Sequence, residues 1–180
     1  MNSILYLISD EYIQYLNKKD PTVMLNKTAL ERTYHRKYIG IIKELNNHKY
    51  FVPLSSPKDN DYVLVNNKKQ IKKDNFTTIF IKNKNVLYGK LKFNCMIPVP
   101  KTEISKYDLN DEGDLKYKIL VFNEIEFLRA NREKIEKKAI NLYEAKTSSK
   151  VIPDKKQNIL RYTVDFKSLE KYCDEWNCSC

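Results

Sequence analysis

The stretch from Tyr38 to Lys58 reads YIGIIKELNNHKYFVPLSSPK, and its pattern decides the fold. Two apolar runs, Tyr38–Leu45 and His48–Leu54, are joined by Asn46-Asn47. Paired asparagines tolerate the left-handed backbone of a two-residue turn, so the segment reads as a β-hairpin. Pro57 closes the second run, because proline brings no N–H to a ladder. Before the hairpin, Ile4–Ile8 suits a short strand. Ser9 can cap a helix whose Ile13 and Leu16 face inward, with Tyr12 or Tyr15 beside them. Lys18–Lys37 is polar and irregular, and Pro21 breaks any helix there. After the hairpin, Asp59–Asn75 is a Lys/Asn-rich excursion with one short strand around Tyr62–Val65. Strand character returns at Thr77–Ile81 and Val86–Phe93, and Met96-Ile97-Pro98-Val99-Pro100 closes the strand-forming half.

Near Leu115 the period changes. Leu115, Ile119, Phe122, Ile125, Leu128, Ile135, Ala139 and Leu142 recur at helical spacing, a stripe expected to pack in the core and to break once near Asn131. Thr147–Gln157 reads as a loop, Ile159–Val164 as a last strand and Phe166–Trp176 as a last short helix. Strands first and a long helix later give an α+β class. A chain of 180 residues without repeats or a clean linker is expected to be one domain, 1–180.

Hydrophobic residues at 42% and charged residues at 31% are ordinary for a globular protein and argue against disorder of the whole chain. No apolar run is long enough to span a membrane, and the N-terminus reads as a strand, not a signal peptide. Charge is the loudest signal: 33 Lys+Arg against 23 Asp+Glu give +10. Eight lysines and one acid, Asp74, fall between Asn66 and Lys92. Such a surplus favours a polyanion, since each cation placed on a phosphate releases counterions; a plain solvated basic surface is the alternative. Cys95, Cys173, Cys178 and Cys180 form no metal pattern with the two histidines and are expected as free thiols in a reducing cytoplasm. With only Gly40, Gly89 and Gly113 present, neither a P-loop nor a dinucleotide fingerprint is possible. No cofactor and no metal are expected.

Ser55-Ser56-Pro57-Lys58 is the most suggestive local feature. Two hydroxyls, a lysine and a proline-fixed backbone can hold an anion, although small polar residues end many strands. No G-x-S-x-G surrounds the serines, so a hydrolase elbow is unsupported. Arg36-Lys37-Tyr38-Ile39-Gly40-Ile41-Ile42 followed by His48–Lys58 resembles the ToxN/AbiQ family, the protein toxins of type III toxin–antitoxin systems. Met96-Ile97-Pro98, Phe127-Leu128-Arg129-Ala130-Asn131, Tyr12-Ile13-Gln14-Tyr15-Leu16 and Asp165-Phe166 with Leu169-Glu170 agree in order. The resemblance covers about Ile4 to Tyr172.

This resemblance implies a compact, strongly bent antiparallel sheet, Kid/MazF-like and barrel-like, with surrounding helices that include one long helix in the C-terminal half. It implies a metal-independent endoribonuclease that cuts single-stranded RNA, leaving a 2′,3′-cyclic phosphate and a 5′-hydroxyl. The partner it implies is a repeat RNA antitoxin folded as a pseudoknot, processed by the toxin and closed with it into a ring, commonly three of each. By position, Ser56 matches the key serine of the site, Ser55 its hydroxyl neighbour and Lys58 the lysine of the turn. Arg36 matches a basic residue, Tyr12 an N-terminal tyrosine, and Tyr34 is a further candidate. Lys37 departs from the proline of many members.

These residue types suit the chemistry. Attack by the RNA's own 2′-hydroxyl needs in-line geometry, proton transfer and cations on the phosphate oxygens, and Lys58 and Arg36 can supply the last. Serine is a poor base, so Ser56 orients or stabilises. His35 and His48 are the tempting bases, each with a plain structural alternative. Lys37, Lys68, Lys69, Lys72, Lys73, Lys82, Lys84, Lys90 and Lys92 form the expected phosphate groove, extended by Lys49, Arg129, Arg132 and Lys134. Tyrosines can stack splayed bases. The rival reading is a non-catalytic RNA-binding module of the same fold.

Overall fold

The computed structural model describes residues 4–26, 34–41, 43–148 and 154–178. In chain order, β1 (Leu5–Ile8) leads into α1 (Asp10–Lys19), followed by β2 (Tyr38–Gly40) and β3 (Tyr50–Ser55). The hairpin forms as expected, with Asn46 and Asn47 at φ 50° and 61° and Leu45 bridged to His48. β2 runs antiparallel to β3 with Ile39 opposite Val52, and β1 runs antiparallel to β2. Ser9 caps α1 by accepting the Tyr12 N–H, and Tyr12, Ile13 and Leu16 are buried.

Next come β4 (Tyr62–Val65) and β5 (Lys68–Ile71), which form a separate exposed hairpin. Only the first of the two was expected. Asn66-Asn67, at φ 49° and 59°, makes the same kind of turn as Asn46-Asn47, but on strands with no buried face to announce them. β6 (Thr78–Asn83), β7 (Val86–Lys92), β8 (Ile97–Pro98) and β9 (Ile104–Lys106) complete an antiparallel sheet of order β6-β7-β3-β2-β1-β9, with β8 also on β3. Among the described residues the sheet is open at β6 and β9 and is not a closed barrel.

β3 is the hinge of this sheet and is buried throughout. Phe51 pairs with β8, Ser55 with β7, and Pro53 lies between them. Tyr50 and Leu54 bond toward the β2 side. The odd positions therefore face β7 and β8, and the N–H that Pro53 lacks falls in the gap between those two partners.

Among the described residues four α-helices follow: α2 (Leu115–Ala130), α3 (Arg132–Thr147), α4 (Asp154–Arg161) and α5 (Phe166–Cys178). The break at Asn131 is as expected. The core face of α2 is not. Val121, Glu124, Ile125 and Leu128 are buried, whereas Leu115, Ile119 and Phe122 are 69%, 55% and 51% exposed. At 3.6 residues per turn those three lie on the side of the cylinder opposite Tyr117, Glu124 and Leu128. Of the loop expected at Thr147–Gln157, 149–153 lie outside the described residues and Asp154–Gln157 is helical instead, and the strand expected at Ile159–Val164 gives way over Ile159–Arg161 to the same helix, α4. Leu160, Tyr162 and Val164 alternate as a strand would, but the helix runs through Arg161 with Leu160 packed on the core, and Val164 beyond it gives its N–H to the Asn94 carbonyl at 3.0 Å.

α5 packs on β8 and α3. Its Trp176 meets Tyr12 edge-on at 5.5 Å, lies 4.9 Å from the Tyr15 ring and donates its indole N–H to Glu103 at 3.0 Å. No helix among the described residues is long and apolar enough to cross a membrane.

Candidate active site

β3 ends at Ser55 because Pro57 stops the ladder, which leaves Ser55 buried and Ser56 exposed at the strand tip. The turn beyond is fastened from below. Asp61 accepts the Lys58 backbone N–H at 2.7 Å, and its carboxylate takes the Lys90 ammonium at 2.5 and 2.7 Å in a buried ion pair. Alongside, the residues leading into β2 lie against the end of β3: Leu54 donates its N–H to the Lys37 carbonyl at 2.9 Å. Arg36 is buried, and its guanidinium donates to the carbonyls of Leu54 at 2.9 Å and Leu25 at 3.1 Å.

These segments, β7 and α2 enclose a pocket of about 230 Å³. Tyr34, His35, Arg36 and Lys37 form one wall, Ser55, Ser56 and Pro57 the second, and Tyr88, Tyr117 and Glu124 the third. Tyr34 stacks on Tyr117 at 3.6 Å, and its hydroxyl donates to Asp114, the residue that caps α2. Below that stack, the Lys37 ammonium sits 4.3 Å from the Tyr117 ring centre and 4.4 Å from that of Tyr107, and donates to the Tyr117 hydroxyl at 2.6 Å. Ring faces attract the cation without neutralising it.

Burial dominates the electrostatics. It pulls Lys37 down to about 8, with Glu124 and Glu112 opposing, and pushes Glu124 up to about 8 against the pull of Lys37. The Asp114 carboxylate is held below its usual range by the Tyr34 hydroxyl, and Tyr34 is raised by the same bond.

Of the residues singled out in sequence, Ser55, Ser56, Arg36 and Tyr34 meet in this pocket, and so does Lys37. Lys58 is exposed in the adjoining turn, outside the lining. Tyr12 is fully buried elsewhere, its hydroxyl donating to the Pro98 carbonyl at 2.8 Å. His35 reaches the pocket rim and stands 3.7 Å from Asp10, while His48 lies apart, paired with Asp174 at 2.9 Å. Among the basic residues, Lys49, Lys68, Lys69, Lys72, Lys73 and Lys84 are exposed, and Lys82 and Lys92 are half-buried. Lys90 is buried on Asp61. Arg129 pairs with Glu126, and Arg132 donates to the Gly40 carbonyl and pairs with Glu136. Glu124, Tyr88 and Tyr117 were missed in sequence. The signal for Glu124 was available: it is a carboxylate three residues after Val121 and four before Leu128, on the buried face of a helix, where an acid is costly.

The fold and the pocket together define a small basic α+β protein with an anion-ready, aromatic-walled site at a strand tip. The family model described as "Toxin ToxN, type III toxin-antitoxin system" matches residues 4–174. The Endoribonuclease ToxN of Bacillus thuringiensis subsp. kurstaki is 32% identical over 178 residues, covering 97% of this chain and 84% of that protein. The Endoribonuclease AbiQ of Lactococcus lactis subsp. lactis is 32% identical over 168 residues, covering 92% and 84% respectively. Among solved structures, one concerning selective toxin inhibition by a non-coding RNA pseudoknot superposes with a TM-score of 0.79 at 30% identity, covering 98% of this chain and 99% of that one. A structure of AbiQ, a lactococcal anti-phage endoribonuclease, superposes with a TM-score of 0.73 at 25% identity, covering 98% and 99%. The chain belongs to the ToxN family of type III toxin–antitoxin toxins.

Proposed function

We propose that the chain is an endoribonuclease toxin that cuts single-stranded RNA without a metal, through attack of the RNA's own 2′-hydroxyl, in one unit spanning 1–180. The observation that carries this reading is the meeting of Ser55, Ser56 and Arg36 with a buried acid and lysine in one pocket. A phosphodiester seated there has hydroxyls for its non-bridging oxygens, a guanidinium and an ammonium for the charge gathering in the pentacoordinate transition state, and aromatic walls for the flanking bases. As O2′ bonds to phosphorus the bond to O5′ breaks, giving the cyclic phosphate and the 5′-hydroxyl. Ser56, exposed at the strand tip, orients the phosphate, and Lys58 closes over it from the adjoining turn.

The inhibitor is a pseudoknot RNA, in keeping with the RNA-inhibited toxin that this fold matches. It lies along the exposed lysines of the β4–β5 hairpin and the β6–β7 turn. The toxin processes it and closes with it into a three-to-three ring in the cytoplasm.

The test is incubation of the purified chain with a defined RNA in EDTA, beside a copy carrying 2′-deoxy sugars at the mapped cuts. Fragments ending in cyclic phosphate from the all-ribose copy alone are expected. Ser56→Ala should lower the cutting rate by about 10²-fold or more while RNA binding persists. Binding without cleavage across varied RNAs would make the chain a non-catalytic RNA-binding module.

A further inference from the structure

Glu124 is the oddest residue in the pocket. The residue is 6% exposed, yet no hydrogen bond or ion pair among the described residues holds its carboxyl. A carboxyl so little exposed and without a protein partner is costly, and this one opens only onto the pocket. Room for it is made by Gly89 on β7, where a Cβ would stand 2.6 Å from Glu124 Oε1 and 3.3 Å from the Ser55 carbonyl. The carboxyl therefore lies at the foot of the serine pair. The cation acting on it is Lys37, which is fixed between two tyrosine rings.

We propose that Glu124 takes the proton from the attacking 2′-hydroxyl and that Lys37 gives one to the leaving 5′-oxygen, a role that rests on the transesterification proposed above. The step balances. The O2′–H bond breaks as O2′ bonds to phosphorus, its proton going to the carboxylate. The P–O5′ bond breaks as O5′ takes a proton from the ammonium. The carboxylate–ammonium couple becomes carboxylic acid and amine, and a proton returned from one to the other, directly or through water, resets the site. Burial brings both groups to about 8, so the charged and neutral forms of the couple lie close in energy. Other ionisable groups face the couple from each neighbouring segment: His35 and Arg36 before β2, Tyr88 on β7, Tyr117 on α2, and Glu112 with Tyr107 ahead of α2.

The experiment is single-turnover cleavage in EDTA from pH 5 to 10, with RNA affinity and melting temperature measured on the same samples. For the wild-type chain, cleavage should rise towards about pH 8 as the carboxyl ionises, then fall as Lys37 loses its proton. Glu124→Gln should slow cleavage about 10²–10⁴-fold and flatten the acidic limb, with RNA affinity unchanged. Lys37→Arg keeps the charge but holds its proton, so it should flatten the alkaline limb.

Melting separates a chemical role from a structural one. A glutamate in the unfolded chain ionises near 4.5, whereas the folded one keeps its proton to about 8. Between those values the folded state binds more protons, so the wild-type chain should lose stability relative to Glu124→Gln as pH rises. Gly89→Ala, which pushes the carboxyl aside and leaves its chemistry intact, should slow cleavage about 10–100-fold and covers the case of a Gln variant that fails to fold. Wild-type rates and an unchanged pH profile in Glu124→Gln or Gly89→Ala would overturn the inference and leave the endoribonuclease reading standing. A wild-type chain that cuts no RNA would bring down both.

Discussion

Lys90 and Asp61 show how far a residue's environment can move its meaning. In sequence Lys90 is one of eight lysines in a basic stretch and counts toward a phosphate groove. In the fold it is buried on Asp61, which also fastens the Lys58 turn beside the serines. Removing one member of a buried pair strands the other charge. Lys90→Met should therefore destabilise the chain by about 3–5 kcal/mol in urea unfolding, whereas Lys72→Met or Lys73→Met, on exposed positions, should leave the midpoint almost unmoved. Equal small effects would place Lys90 with the surface lysines. Residue types at the strand tip, Ser55, Ser56 and Arg36, were legible because they are adjacent in sequence to strand signals and carry the family resemblance. Glu124 and Tyr117 were not, since they arrive from a helix some sixty residues downstream.

Turns carried most of what was legible at the level of elements. Asn46-Asn47 announced β2 and β3 because buried apolar runs flank it, and the identical Asn66-Asn67 dipeptide went unread because β4 and β5 bury almost nothing. The β6–β7 turn places Lys84 at φ 49°, a left-handed conformation that costs a residue with a Cβ. Lys84→Gly should raise stability by about 0.5–1 kcal/mol in the same urea assay, and a loss would mean that the side chain holds the turn. For α2, periodicity gave the helix and its end at Asn131, yet not the buried face. Two apolar rows run along its first three turns, and only docking on β6 and β7 chooses between them.

Over the whole molecule, charge sets the terms of association. The net +10 is spread unevenly, with Lys68, Lys69, Lys72 and Lys73 exposed on and after the second strand of a hairpin outside the main sheet. Each of these that neutralises a phosphate contributes about 0.7–0.9 to the slope of log affinity against log salt. Replacing the four with Gln should lower that slope by roughly 3 in a filter-binding titration and leave the cleavage step in EDTA unchanged at saturating RNA. A slope that does not move would put the RNA on another face. The overall class, α+β with an antiparallel sheet, followed from the order of elements. That the sheet stays open did not, because closure depends on the strand at each edge, and β9 is three residues long with two of them exposed.

Trp176 is the one indole in a chain of thirteen tyrosines. Carried by α5 against the tyrosines of α1, with its N–H on Glu103, it makes the protein its own optical gauge. Light absorbed by Tyr12 and Tyr15 drains into it over a few ångströms, so the ratio of emission excited at the tyrosine and tryptophan bands reads the seating of the C-terminal helix. The pocket holds no tryptophan, and its own rings, Tyr34, Tyr88 and Tyr117, enter only through the tyrosine band. A change in the indole's own emission on adding RNA would report a rearrangement at the contact of α5 with α1, outside the pocket lining.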